Sequence, residues 1–175
     1  MARGFLGGRA VLVVGSYQGV IWIWDLVNEK TLAGPFAGVP DETQLWFGKK
    51  QAPSANPITN AVAIGDVGGR AIVAAAVAGR VHLYDAETGA VLLGPAASAT
   101  VVGAVALGEF HGRAILVTGS LGGVLAVWDV NTGQRIAAVT LDSEITGVWK
   151  VHGTDSVAAR DKTGRLLVFD LVGNA

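Results

Sequence analysis

Short apolar runs return along the chain, each time in the same surroundings. Residues 11–14, 72–77 and 115–117 are built only of Val, Ile, Leu and Ala. Each run follows a Gly-containing turn: Gly7-Gly8-Arg9-Ala10, Gly68-Gly69-Arg70-Ala71 and His111-Gly112-Arg113-Ala114. Each then leads to a second turn ending in Gly19, Gly79 or Gly123. A fixed distance beyond that glycine comes an aromatic residue followed by Asp: Trp24-Asp25, Tyr84-Asp85 and Trp128-Asp129. A weaker fourth copy lacks Gly-Arg-Ala but keeps His152-Gly153, an apolar stretch at 157–159, Gly164 and Phe169-Asp170. Apolar runs this short, bounded by turn residues and rich in β-branched side chains, predict strands. Each repeat predicts four antiparallel strands, a to d. Strand a falls at 59–64, 102–107 and 145–151, and strand d at 31–34, 90–94 and 134–140. Strand b is the apolar run, which needs cover on both faces. Strand c carries the aromatic-Asp pair. Glycine in the connecting hairpins supplies the positive φ that tight loops require. Residues 1–4 align only with the end of a strand a. The expected count is therefore b, c, d, two full sets, then a, b, c, so that the chain opens inside one repeat and stops inside another.

A period of ~40–45 residues closing on an aromatic-Asp pair resembles the WD-repeat family. Val20-Ile21-Trp22-Ile23-Trp24-Asp25 and Val124-Leu125-Ala126-Val127-Trp128-Asp129 follow the family's closing strand, and Thr88-Gly89 and Thr132-Gly133 its Thr-Gly turn. The resemblance covers nearly the whole chain. It implies an all-β, WD-repeat-type β-propeller with about four blades per chain, each a four-stranded antiparallel sheet. The blades fall at about 1–36, 58–97, 101–140 and 145–175, within one partial-propeller domain spanning 1–175. The family often ties its turns to strand c through an Asp-His-Ser-Trp network. Here the Asp position holds Gln18, Ala78, Gly122 and Thr163, the His before strand a is missing, and the Ser partner remains as Ser16 and Ser120 only. The expectation is a propeller that relies on apolar packing more than on buried polar ties.

Composition narrows the classes. The chain has 175 residues, 51% of them hydrophobic and 15% charged, which excludes intrinsic disorder. Thirteen Lys and Arg against fourteen Asp and Glu leave a net charge of −1, which is not the balance of a nucleic-acid binder. The longest apolar run, 71–78, is far shorter than the ~20 residues of a spanning helix. No membrane partner is expected, and Gly7, Gly8 and Arg9 interrupt any signal-peptide core. The absence of Cys removes disulfides and thiolate chemistry and is compatible with a cytoplasmic location.

The period is broken once, by an insertion at about 37–57. It holds three of the five prolines, Trp46-Phe47 and Lys49-Lys50. Long loops on a rigid scaffold often carry binding. Trp46, Phe47, Lys49 and Lys50 are candidate binding residues, with Tyr17 in the first b-to-c turn. The other reading of Trp46 and Phe47 is that they pin the loop to the rim. The recurrent Asp25, Asp85, Asp129 and Asp170 read as caps of the c-to-d turn, because a fourfold catalytic Asp makes no chemical sense. Arg9, Arg70 and Arg113 read as rim residues whose stems cover apolar surface. His111 and His152 share a turn position and His82 lies within strand c. No spacing of these histidines matches a metal site. No Gly-Lys-Ser/Thr or Gly-x-Ser-x-Gly motif occurs, so no catalytic residue, metal or cofactor is expected.

Three functions remain. The first is a non-catalytic scaffold for an unidentified protein or peptide. The second is a sensor or ligand-recognition module cut from a larger bacterial signalling protein. The third, an enzyme or sugar binder using the central channel, is weakened by inner strands as apolar as Ala61-Val62-Ala63-Ile64 and Ala104-Val105-Ala106-Leu107. Four blades in an open arc would leave two apolar faces bare, with runs such as 11–14 and 166–169 facing water. The expectation is a homodimer closing one eight-bladed ring.

Overall fold

The computed structural model describes residues 1–16, 19–37, 59–77, 80–97 and 100–171. Among them are fifteen strands in four sheets and no helix. The first sheet comprises β1 (Ala2–Leu6), β2 (Arg9–Gly15), β3 (Val20–Asp25) and β4 (Lys30–Ala37). The second comprises β5 (Thr59–Val67), β6 (Arg70–Val77), β7 (Arg80–Asp85) and β8 (Val91–Ala97). The third comprises β9 (Val102–Phe110), β10 (Arg113–Ser120), β11 (Val124–Asp129) and β12 (Arg135–Thr140). The fourth comprises β13 (Ile145–Lys150), β14 (Ser156–Asp161) and β15 (Leu166–Asp170). Within every sheet the strands are antiparallel neighbours in chain order. This is an all-β, blade-type, β-propeller-like fold.

One element differs from the sequence expectation. β1 pairs with β2 without interruption from Ala2↔Val13 to Leu6↔Arg9, so the first sheet has all four strand positions filled. The reason lies in the turn. Gly7 and Gly8 both take positive φ, 55° and 75°, and close a two-residue hairpin that carries the twist of its strands. Gly68-Gly69 do the same between β5 and β6, and in the third sheet His111 stands in the first of these positions at φ 49°.

The core lies in three layers between consecutive sheets. Alternate residues of a strand point to opposite faces, so each sheet has a forward face toward the next sheet and a rear face toward the one before. Val11, Val13, Ile21 and Ile23 of the first sheet pack forward on Val73, Ala75 and Tyr84 of the second. Ile72, Ala74, Val81 and Leu83 pack forward on Leu116 and Trp128 of the third. Ile115, Val117, Leu125 and Val127 pack forward on Val157, Ala159 and Phe169 of the fourth. The strand-b runs 72–77 and 115–117 are buried throughout, as their unbroken apolar character requires.

Candidate interaction surfaces

Tyr17, Trp46, Phe47, Lys49 and Lys50 lie outside the described residues, as does nearly all of the 37–57 insertion. The described residues carry the turns, the inner strands and the two outer sheet faces.

The turn aspartates act as caps. Asp25 Oδ1 accepts the backbone N–H groups of Val27 and Asn28 at 2.8 and 2.9 Å. Asp85 Oδ1 accepts those of Glu87 and Thr88 at 3.1 and 2.8 Å. Asp129 Oδ1 accepts those of Asn131 and Thr132 at 2.9 and 2.8 Å. Asp170 accepts the Ser156 hydroxyl at 2.7 Å, and the turn that follows it lies outside the described residues.

Several polar ties lie beyond the sequence reading. Arg70 does more than cover apolar surface, since its Nε donates to Asp85 Oδ2 at 2.8 Å. The Thr88 backbone N–H, then Arg70 and the Thr88 hydroxyl, hold the Asp85 carboxyl down at about 2. Trp128 Nε1 donates to Thr118 Oγ1 at 3.0 Å, so Thr118 is the hydroxyl that partners this tryptophan. Ser120 and Ser16 instead accept the N–H groups of Val124 and Val20 and close the turns after strand b. In the fourth sheet Asp161 takes that place. It accepts the Thr163 hydroxyl and pairs with Arg165 Nε, both at 2.6 Å, and its carboxyl is also lowered to about 2. The pairing register, with Ile72 opposite Asp85, is the signal that would have placed Arg70 beside its carboxylate.

His82 is buried in β7, stacked beside Tyr84, and its Nδ1 finds no partner among the described residues. Burial, and then the charge of Arg80, push its pKa below the ordinary histidine value. Burial pushes the Tyr84 hydroxyl up to about 12. Among the described residues no three His, Asp or Glu side chains converge on a metal position, and no helix is long and apolar enough to cross a membrane.

The inner strands enclose an open pocket of about 220 Å³, lined by Met1, residues 60–62 of β5, 103–105 of β9 and 146–149 of β13. Among the described residues its polar side chains are Asn60 and Thr146, apart from the Trp149 indole N–H.

Among the described residues, the rear face of the first sheet and the forward face of the fourth have no sheet against them. The first presents Phe5, Leu12, Val14, Trp22 and Trp24, with Phe5 66% and Trp24 43% exposed. The second presents Leu166, Val168 and Trp149, 64%, 59% and 44% exposed, with Arg160 and Asp170 on the same face. Apolar side chains gathered in this way mark interaction surfaces.

No family model matches the chain, and no curated protein matches it. Among solved structures it is similar to the computationally designed Ika4 protein, whose crystal structure shares 21% identity with a TM-score of 0.65, over 98% of this chain and 90% of that one. At that identity the likeness shows the fold alone.

Proposed function

We propose that this protein is a non-catalytic interaction scaffold: a WD-repeat-type propeller of four blades per chain that closes with a second copy into an eight-bladed ring and offers its rim loops to a protein or peptide. The observation that carries the reading is the pair of bare apolar faces at the two ends of the sheet series. Burying such faces is the main driving force for association. A two-fold pairing makes both junctions equivalent, and two chains of four blades then form an even-numbered ring. The WD-repeat assignment rests on the recurrent aromatic-Asp pairs and on the turn caps made by Asp25, Asp85 and Asp129.

Light scattering after size exclusion tests the ring. A single species of twice 17.9 kDa is expected; a stable compact monomer would sink it. For the scaffold role, co-purification identifies the partner and Trp46→Ala then weakens its binding by about 2 kcal/mol, the scale of an aromatic anchor. Early melting without a binding defect would assign Trp46 to packing instead.

A further inference from the structure

The end faces differ from each other, and the repeats say what each is shaped to meet. In register, Leu12, Val14, Trp22 and Trp24 of the first sheet are equivalent to Val73, Ala75, His82 and Tyr84 of the second. All four of the latter are buried, against the forward face of the preceding sheet. At the other end, Ser156, Ala158, Leu166 and Val168 of the fourth sheet are equivalent to Ile115, Val117, Leu125 and Val127 of the third. Those four are also buried, against the rear face of the following sheet. Every internal junction therefore joins a forward face to a rear face.

Side-chain size sets the two end faces apart. The first sheet's rear face has two tryptophans where the third sheet has Ala126 and Trp128. The fourth sheet's forward face has Ser156 and Ala158 where the third has Ile115 and Val117, and Trp149 and Arg160 where the third has Ala106 and Gly119. Two copies of the first sheet's rear face would bring four tryptophans together and overfill the contact, which close packing at an interface penalises.

We infer that the partner of each end face is the opposite end face of a second copy, so that the fourth sheet of one chain packs its forward face on the first sheet of the other, Trp22 and Trp24 meeting Leu166 and Val168. This rests on the dimeric reading above and specifies its geometry. Phe5 completes the contact: it is apolar and exposed where the second and third sheets carry Asp66 and Glu109. The junction repeats twice about the two-fold axis, and both junctions are made of one forward and one rear face.

The test uses two variants of the whole chain, Trp24→Asp and Val168→Asp. Both side chains are exposed in a single chain, so the fold should persist, checked by a cooperative melt. In the head-to-tail arrangement either substitution damages both junctions, and each variant alone is expected to run as a monomer. Mixed one to one, the two variants retain one fully wild-type junction, between the intact fourth sheet of Trp24→Asp and the intact first sheet of Val168→Asp. Dimer mass is expected to return in the mixture alone. If each variant stays dimeric by itself, like faces pair and the inference fails while the dimer stands. If wild type is a monomer, ring and junction fall together.

Because the chain has no cysteine, a second readout is direct. Trp24→Cys and Val168→Cys proteins, mixed and treated with a short bis-maleimide, should cross-link 24 to 168. Products linked only 24 to 24 or 168 to 168 would overturn the arrangement.

Discussion

Trp24 and Tyr84 occupy the same place in consecutive sheets, yet Trp24 is 43% exposed and Tyr84 only 1%. Tyr84 lies under the first sheet, in a layer with Val11, Val13, Ile21 and Ile23, and stacks on Phe36 with ring centroids 6.0 Å apart. Trp24 has the equivalent strand, register and orientation, and among the described residues no sheet lies in front of it.

The layers predict a sharp contrast between two substitutions. Ile115→Asp places an unpaired carboxylate between the third and fourth sheets and is expected to cost about 3–5 kcal/mol. Leu166→Asp, on the bare forward face of the fourth sheet, should leave the stability of the single chain nearly unchanged. Chemical denaturation of both at a concentration where chains are separate checks this. Similar midpoints would show that β10 is not an interlayer strand.

The hairpin glycines predict a pure backbone effect. Gly69 sits at φ 75°, and a Cβ there would meet nothing within 4 Å. Gly69→Ala should therefore destabilise by about 1–2 kcal/mol through left-handed strain alone. An unchanged urea midpoint would mean that the turn can relax to another type.

Acid should weaken the protein through its turn caps. Asp85 and Asp161 titrate at about 2 when folded, against an ordinary value of 3.8. A depressed folded pKa gives stability that is present above the ordinary value and lost as pH falls from there toward 2. Denaturant midpoints should drop steeply in that window. Asp161→Ala should lower stability at neutral pH and flatten part of the slope; an unaltered slope would remove Asp161 from the account.

His82 acts at milder pH. Its folded pKa is pushed below 6.5, so the unfolded chain takes up a proton first as pH falls. Stability should decline below about pH 6.5 and continue to fall until the folded pKa is reached. His82→Leu removes a buried nitrogen that has no partner among the described residues and should leave neutral-pH stability within about 1 kcal/mol of wild type. Melting temperatures from pH 7 to 5 should be flatter in this variant. Equal slopes would assign the pH dependence elsewhere.

The repeats made most of this fold legible. Strand b is a continuous apolar run because it is covered on both faces, and each hairpin announces itself through glycine. The β1 strand was harder to foresee, since five residues without an unbroken apolar run leave little periodic signal. The end faces were visible as runs at 11–14 and 166–169, but which residues point outward depends on register. Val11 and Val13 turn inward while Leu12 and Val14 do not. The Arg70–Asp85 and Trp128–Thr118 ties join side chains on neighbouring strands, and only the pairing of those strands brings them together. Tyr17, Trp46, Phe47, Lys49 and Lys50, the candidate binding residues, lie where the described structure has nothing to say.

The series of sheets also sets an order of opening. Among the described residues the core layers join consecutive sheets, so cooperativity is passed along one dimension. The second and third sheets are held from both sides, the first and fourth from one. Amide exchange in a single chain should therefore be slowest in β6 and β10 and fastest toward β15, with the ends fraying before the middle. In a closed ring that gradient vanishes, because no sheet is then terminal.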